Sequence, residues 1–314
     1  MFDLPDDWVW DFWVADDGSS YHLFFLKAPR SLGDPELRHR NASVGHAVST
    51  DLTSWTRVAD ALDPQPRPAF DDLATWTGCV VRADDRTWRM FTTGLAAAEG
   101  GRVQRIGVST STDLTTWQRG PHPLLEADPR WYATHGEGAD ETHWRDPWVC
   151  RDEAGTWHLY ATARGAGTDR AVVAHSVSED LRSWTVRAPL SPPSERFAWA
   201  EVISLHRFDG RWVLLFSCLA DHMPNDPARA GGVWAVAVDG PGAPVDLDAA
   251  TRIADEDLYV GKLVTLRDGS SRFLAFRNRD RDGRFVGGLT DPLAVEWPTD
   301  SAVLRLVDIR DRVP

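Results

Sequence analysis

The chain repeats one strand pattern five times. Each repeat has a short apolar opening strand, a polar turn and a second apolar strand. The opening strands contain residues 11–14, 76–80, 146–149, 201–204 and 261–264. The second strands are expected at 21–26, 88–93, 157–162, 212–217 and 273–277. Such a repeat is typical of β-propellers, in which each repeat forms one small antiparallel sheet.

A turn motif gives the number of repeats. The motif Ser-x-Asp-Leu-x-x-Trp occurs at residues 49–55, 111–117 and 178–184, and in weaker form at 291–297. The first three copies are 62 and 67 residues apart, whereas the last two are separated by 111 residues, enough for two repeats. A third strand at 233–238, followed by a different turn, fills this gap. We expect the Asp and Trp of the motif to have structural roles, as acceptor and packing group.

The sequence therefore predicts an all-β fold, a five-bladed β-propeller in which each blade is a four-stranded antiparallel sheet. It predicts one domain over residues 1–314. Two connections exceed a tight hairpin, residues 27–42 and 121–142. Long loops on a rigid scaffold commonly border a binding site. For the second, which contains the polar and glycine-rich stretch 135–141, a simple solvated loop is the favoured interpretation.

Three opening strands carry a carboxylate. Asp11, Asp146 and Glu201 are far apart in sequence, but a propeller brings every innermost strand to one axis. A lone Asp at a strand start is usually a turn acceptor, and Arg145 with Asp146 is also consistent with a structural ion pair. Three acids at what the repeat predicts to be equivalent positions instead favour a carboxylate-centred active site.

The composition excludes several classes of partner. The net charge is −13 and the pI is about 5.2, which argues against nucleic acid and anionic membranes, because phosphate binding requires clustered Lys and Arg. The 16 tryptophans suit both blade packing and stacking on sugars. We expect a small-molecule saccharide as the partner. The oligomeric state is left open.

Cysteine usage and the N-terminus bear on cofactors and location. Cys79, Cys150 and Cys218 have no spacing motif, so neither a disulfide framework nor a zinc site is predicted. No metal-ligand spacing stands out, and we expect no metal and no cofactor, although a central ion among carboxylates stays open. The N-terminus lacks a signal-like pattern and no 18-residue apolar span occurs, which predicts a cytoplasmic protein.

Several of these segments resemble glycoside hydrolase family 32, the invertases and fructanases. The similar segments are Trp-x-x-Asp at 8–11, the strand at 21–25, Gly-His-Ala-x-Ser-x-Asp-Leu-x-x-Trp at 45–55, Arg-Asp-Pro at 145–147, and Glu201 with the strand 213–217. Residues 10–13 also resemble the Trp-Asp-x-Trp of family 68, the levansucrases. The resemblance spans all five repeats, to about residue 300.

The chain departs from the family 32 pattern at three places. Phe12, Trp13 and Val14 follow Asp11, where the family has Asp-Pro-Asn-Gly after its nucleophile. Val202 replaces the Cys that follows the family's acid. The chain stops at Pro314, so no C-terminal β-sandwich is expected. Family 43, a related group of five-bladed arabinofuranosidases and xylosidases, shares the three carboxylates without a fixed Arg-Asp-Pro.

The resemblance implies a role for each acid. Asp11 would be the nucleophile, Glu201 the general acid and base, and Asp146 a transition-state stabiliser, with Arg145 orienting these groups. The expected activity is retaining hydrolysis of a small β-fructofuranoside, or fructosyl transfer through the same intermediate. Two alternatives remain at this point: an inverting family 43-type arabinofuranosidase or xylosidase, and a non-catalytic propeller that binds sugar or protein.

Other residues are expected to contact the substrate. Trp10 and Trp76 would wall the sugar site, with a core role for Trp76 nearly as well supported. His143, which precedes Arg145 and Asp146, is expected at the rim of the pocket. Tyr259 and Lys262 open the fifth repeat, and Lys262 is equally consistent with a structural pairing to a central carboxylate. His46, on a third strand, is read as structural.

Overall fold

The predicted propeller is confirmed. A computed structural model describes residues 1–137, 139–225 and 229–307, and contains five sheets of four antiparallel strands, each in chain order. Gly138 of the glycine-rich loop, and residues 226–228 and 308–314 of the predicted domain, lie outside the described residues.

The blades are built as follows. Blade 1 comprises β1 (Asp7–Asp16), β2 (Tyr21–Pro29), β3 (Ser43–Ser49) and β4 (Thr56–Arg57). Blade 2 comprises β5 (Ala74–Arg82), β6 (Trp88–Leu95), β7 (Gln104–Ser111) and β8 (Gln118–Arg119). Blade 3 comprises β9 (Arg145–Arg151), β10 (Trp157–Arg164), β11 (Ala171–Ser178) and β12 (Thr185–Arg187). Blade 4 comprises β13 (Glu201–Phe208), β14 (Arg211–Cys218), β15 (Gly232–Val238) and β16 (Thr251–Asp255). Blade 5 comprises β17 (Leu258–Thr265), β18 (Ser271–Arg277), β19 (Leu293–Glu296) and β20 (Arg305–Val307).

Helices are short and lie in the connections. In the described ranges, the 3₁₀ helices are Arg30–Leu32, Pro35–Asn41, Ala97–Glu99, Ala220–His222 and Leu247–Ala249. Within the described ranges, no helix is both long and apolar enough to cross a bilayer.

The turn motif has the structural role that the sequence predicts. Asp51 accepts hydrogen bonds from the backbone N–H groups of Thr53 and Ser54, both at 2.8 Å. The Trp55 indole donates to the carbonyl of Leu52 at 3.1 Å, where the chain has a positive φ of 63°. The same carboxylate bonds recur at Asp113 and Asp180. These bonds stabilise a tight turn between the third and fourth strands.

Aromatic side chains pack each blade on the next. The turn tryptophan of blade 2, Trp117, meets Phe24 of blade 1 edge-on, with ring centroids 5.7 Å apart. Trp184 of blade 3 meets Phe91 of blade 2 in the same way, also at 5.7 Å. Because Phe24 and Phe91 are fully buried, each contributes about 1.5–3 kcal/mol of transfer free energy. Because the turn tryptophan and the phenylalanine of the second strand make the same contact in successive blades, both residues recur in the sequence.

The ring closes between blade 5 and blade 1. Phe2 forms an antiparallel bridge with Leu289, and the N–H of Gly288 donates to the carbonyl of Val9 at 2.8 Å. These bonds join the first strand to the last sheet. The innermost strands are thereby held around one axis.

Candidate active site

A β-bulge interrupts every innermost strand near its start. At each one the pairing with the second strand shifts register. The residues immediately before the bulges are Trp10, Trp76, Arg145, Glu201 and Tyr259. All five line one cavity of about 420 Å³ at this end of the axis. Bulges re-aim side chains and are common beside active sites.

The first residue within each bulge forms a second layer. These residues are Asp11, Thr77, Asp146, Val202 and Val260, of which the first four also line the cavity. Glu201 therefore matches Arg145, not Asp146. The prediction that the three acids occupy equivalent positions is wrong by one residue for Glu201. The apolar repeat places the strands but does not locate the bulge within them, since a bulge adds a residue without changing the pattern that follows.

Three bulges have backbone in the left-handed region. Asp146, Val202 and Val260 have φ values of 57°, 53° and 52°. This conformation is unfavourable for non-glycine residues and most of all for a β-branched valine. Their N–H groups donate to hydroxyls of the preceding blade: Asp146 to Thr93, Val202 to Thr162 and Val260 to Ser217, at 2.9, 3.1 and 2.9 Å. Contacts between blades thus hold the bulges in place.

Asp11 faces the cavity from blade 1. The hydroxyl of Thr77, its counterpart on blade 2, donates to Oδ2 of Asp11. Burial, followed by the negative charge of Asp146 and, more weakly, of Glu201, raises the pKa of Asp11 to about 7. The single hydroxyl donor offsets this only in part. Asp11 therefore readily holds a proton near neutral pH.

Asp146 is the most enclosed of the three acids, with 4% of its surface exposed. Its Oδ2 accepts a hydrogen bond from Thr162 at 2.9 Å and lies 3.3 Å from Nε of Arg145. Burial raises the pKa of Asp146 in spite of this guanidinium. Thr162 also receives the bulge N–H of Val202, so one hydroxyl links the Asp146 carboxylate to the strand that carries Glu201.

Glu201 is held by two donors. Its Oε1 lies 2.7 Å from Nη2 of Arg145, and its Oε2 accepts a hydrogen bond from the Tyr259 hydroxyl at 2.6 Å. Burial acts to raise the pKa of Glu201, but Arg145 and Tyr259 outweigh it and hold the pKa below its usual range. These two donors therefore favour the ionised form of Glu201.

Arg145 connects the acids and is itself fixed. Its Nη1 donates to Oε1 of Gln104 at 3.3 Å and lies 3.0 Å from Nδ1 of His143. Its guanidinium lies 4.9 Å from the ring centre of Trp199. Burial, together with Arg145, lowers the pKa of His143, so this imidazole is neutral and accepts the hydrogen bond. A buried guanidinium with several partners orients carboxylates rigidly.

The first long connection supplies part of the cavity wall. Its 3₁₀ helix, Pro35–Asn41, places Arg38 and His39 at the cavity. The Trp76 indole donates to the carbonyl of His39 at 2.5 Å. Arg38 lies over the ring of Phe285 at 3.9 Å and that of Trp10 at 5.6 Å. The sequence marked this connection as a possible border but none of its residues.

Trp199 and His222 are cavity residues that the sequence analysis did not identify. Trp199 lies two residues before Glu201, and the guanidinium of Arg164 stacks 3.4 Å from its ring centre. The His143 ring meets Trp199 at 4.1 Å. The position of a tryptophan just before the Glu201 strand was the available signal. The second long connection contributes Glu141 to the cavity.

The structure brings eight of the nine predicted site residues to the cavity. Lys262 is the exception, because it follows the bulge of β17 and lines a smaller cavity with Phe12 and Trp148. Within the described ranges, no carboxylate lies within 4.0 Å of its ammonium, and Asp11 and Asp146 attract it only from farther away, so a direct ion pair with a central carboxylate is not observed. Its contact with substrate stays a prediction. His46 is fully buried against His22, away from the cavity, as predicted.

The donor set of the cavity does not assemble a metal site. Across residues 1–137, 139–225 and 229–307, no group of three or more His, Cys, Asp or Glu side chains is placed to hold an ion.

The sequence matches one protein family over most of its length. The N-terminal domain of the glycosyl hydrolases family 32 matches residues 14–238. The chain belongs to glycosyl hydrolase family 32. The matched region includes Asp146 and Glu201 and begins three residues after Asp11. This membership does not favour the family 43 and non-catalytic alternatives.

Characterised relatives are similar over about half of the chain. A sucrose-6-phosphate hydrolase of Bacillus subtilis (strain 168) is 26% identical over 172 residues, covering 55% of this chain and 32% of the relative. A cell wall β-fructofuranosidase of Zea mays is 28% identical over 172 residues, covering 52% of this chain and 26% of the relative. The aligned part thus spans about a third or less of these relatives.

Solved structures share the fold. Fructan 1-exohydrolase IIa from Cichorium intybus superposes with a TM-score of 0.73 at 16% identity, over 99% of this chain and 60% of that one. An inulosucrase from Halalkalicoccus jeotgali, bound to kestose, gives a TM-score of 0.74 at 19% identity, over 96% and 87% of the two chains. At these identities the likeness establishes the fold.

Proposed function

We propose that the protein is a retaining glycosidase that hydrolyses a small β-fructofuranoside, or transfers its fructosyl group. The observation that carries the proposal is the arrangement of Asp11, Asp146 and Glu201 around one cavity, with Arg145 bound to two of them. Family membership supports the reaction type.

In the proposed first step, Asp11 attacks the anomeric carbon and the glycosidic bond breaks. Glu201 gives a proton to the departing oxygen, and a covalent fructosyl–Asp11 ester forms. In the second step Glu201 takes a proton from water, which attacks the same carbon and releases fructose. A sugar hydroxyl in place of the water gives transfer.

Asp146 is proposed to bind sugar hydroxyls and to stabilise the oxocarbenium-like transition state. Its carboxylate is fixed by Thr162 and Arg145, so it does not need to reorganise when positive charge develops. Trp10 and Trp76, on neighbouring blades before the bulges, are proposed to wall the sugar. His143 and Tyr259 complete the set by holding Arg145 and Glu201.

The first step requires that Glu201, and not Asp11, carries a proton. The electrostatics of the protein favour a protonated Asp11 and an ionised Glu201, whereas the first step needs the reverse. Three buried carboxylates close together behave as one coupled system that holds a shared proton. We propose that the bound sugar, by replacing water beside Glu201, moves this proton to Glu201.

The names of the relatives suggest which substrates to test. They include sucrose-6-phosphate hydrolase and β-fructofuranosidase, and the fold is shared with an inulosucrase bound to kestose. We propose di- or oligosaccharides of this type. A cytoplasmic location stays a prediction, to be tested by fractionation of the native cells.

The test is proton NMR of the protein with sucrose, sucrose 6-phosphate, kestose, a levan oligosaccharide, and aryl arabinofuranoside and xyloside. We expect release or transfer of fructose, with the β-anomer appearing first. Turnover of the aryl pentosides alone, with inversion, would replace the proposal by a pentosidase. No turnover of any substrate would remove the support for this substrate class.

A further inference from the structure

We propose that the second cavity on the propeller axis binds a small monovalent anion, such as a halide, with the Lys262 ammonium as its ligand. This cavity of about 160 Å³ lies beyond the bulges, at the end of the axis opposite the carboxylates. It is lined by the later residues of β1 and β17 and by Trp148 of β9. The proposal does not depend on the proposed function.

Within the described ranges, Lys262 is a buried charge without a hydrogen-bond or ion-pair partner, although Asp11 and Asp146 attract it from farther away. Only 4% of the residue is exposed, and its ammonium faces the ring of Trp148 at 4.8 Å. Within the ranges that the structure describes, no acceptor forms a hydrogen bond or ion pair with it. Burial lowers the pKa of Lys262 to about 8, so the group is charged at neutral pH. A buried ammonium with an aromatic face on one side and a cavity on the other requires acceptors from that cavity.

The remaining polar side chains of the cavity also present donors. The Tyr21 hydroxyl accepts the N–H of Arg267 at 3.2 Å, which leaves its proton free to donate. Thr265 contributes a second hydroxyl. The one carboxylate, Asp16, is engaged by the Arg267 guanidinium at 2.7 Å and by the N–H of Gly18 at 2.8 Å. The positive charge of Lys262, which Asp11 and Asp146 attract only from beyond ion-pair distance, and an excess of donors fit a monovalent anion.

The walls and the size of the second cavity restrict which anion it can bind. Phe12, Val14, Leu263 and Val264 are apolar, so they favour an ion that gives up its water readily. The volume of this cavity is sufficient for an ion of a few atoms. A halide meets these conditions, and bromide can serve as its heavy-atom probe.

The chain offers an unusually clean test, because it contains two lysines, Lys27 and Lys262. Protein grown with lysine carrying ¹³C at the ε-carbon gives one signal from each. Lys27 is the internal control, since its ammonium is 3.0 Å from Asp60 near the surface. Chloride or bromide is titrated at constant ionic strength, balanced with a sulfonate too large for the cavity.

We expect a saturating shift of the Lys262 signal with Lys27 unmoved, and an anomalous bromide peak beside Lys262 in crystals. In thermal melts, bromide should raise the Tm of wild type and of Lys27→Met, but not that of Lys262→Met. Equal, non-saturating shifts of both lysines, or no shift and no peak, would overturn the proposal and leave a cavity that holds only water. The NMR and diffraction results do not require the variant to fold.

Discussion

The two ends of the propeller axis use the same innermost strands for different chemistry. Before and within the bulges, the strands present acids and their donors to a cavity of about 420 Å³. Beyond the bulges, they present mostly apolar side chains, with Lys262, Asp16 and Thr265, to a cavity of about 160 Å³. On β1, Asp11 lines the larger cavity and Phe12 the smaller one. On β17, Tyr259 lines the larger cavity and Lys262 the smaller one.

This difference shows that the bulge is the dividing element. An unbroken strand alternates its side chains between two faces, whereas a bulge resets the alternation and bends the strand. The hydroxyls of Thr93, Thr162 and Ser217 keep three bulges in their left-handed conformation. The site is therefore a property of neighbouring blades acting together.

The sharpest test compares two acids on β1. Asp11→Asn should lower kcat by at least about a thousandfold, because an amide is a poor nucleophile. Asp16→Asn, at the other end of the same strand, should leave kcat close to wild type. Steady-state kinetics with the substrate found by NMR measures both. A comparable loss in Asp16→Asn would contradict the division between the ends.

Activities at the two ends of the axis can be compared only at a pH at which the blades stay folded, and buried histidines set the acid limit of that range. His158 and His175 form a buried pair, with ring nitrogens 2.9 Å apart, and His22 and His46 form another at 3.0 Å. Burial lowers the pKa of His175 to about 4. Since the unfolded state takes up a proton at His175 near pH 6.5 and the folded state near pH 4, the contribution of His175 should lower stability by about 3 kcal/mol as pH drops between these values.

Urea denaturation at pH 7 and at pH 4.5 measures this loss. His175→Gln, which does not titrate, should lose part of the pH dependence, while His122→Gln, at an exposed position, should keep all of it. If both variants retain the wild-type dependence, the acid sensitivity originates elsewhere. Activity should be compared only over the pH range in which the fold persists.

A third test separates positioning from folding. Thr162→Val removes the donor to Asp146 and the acceptor for the Val202 N–H, so kcat should fall by about ten- to a hundredfold. Ser217→Ala removes the equivalent bond to Val260 without touching a carboxylate. It should lower stability by about 1–3 kcal/mol and change kcat far less. Equal effects of both on kcat would mean that Thr162 acts only through the fold.

The smallest expected effect concerns the proton on Glu201. Tyr259→Phe removes a donor to its carboxylate, which raises the pKa of Glu201 because the ionised form loses a hydrogen bond. The basic limb of the profile of kcat/KM against pH should move upward, with a loss of about tenfold at the optimum. As a control, Tyr132→Phe removes a hydroxyl that lies outside the cavity and should leave the basic limb of the pH profile unchanged. A downward shift would argue against Glu201 as the acid.

Much of the fold was predictable because the repeats are local and alike. The turn carboxylate, Asp51 in blade 1, makes the same bonds in three blades, and the indole bond of Trp55 recurs in blade 2, so the residues of the motif recur at fixed spacing. The opening strands carrying Asp11, Asp146 and Glu201 were located by the same regularity. Their assembly around one cavity followed from the ring. Their catalytic roles stay predictions for the experiments above.

The remaining features depend on contacts distant in sequence. Arg38 and His39 reach the cavity because a connection folds back onto Trp76, and Trp199 is fixed by Arg164 and His143. No local pattern encodes such contacts.

The number of blades, the order of strands and the presence of acids on the innermost strands depend on local pattern and were therefore predictable from the sequence. The tertiary structure decided at which end of the axis each side chain lies. It placed Glu201 level with Arg145 and Lys262 in the opposite cavity. The reason is that a bulge is held by hydroxyls of the neighbouring blade, and its position is settled only when the blades pack.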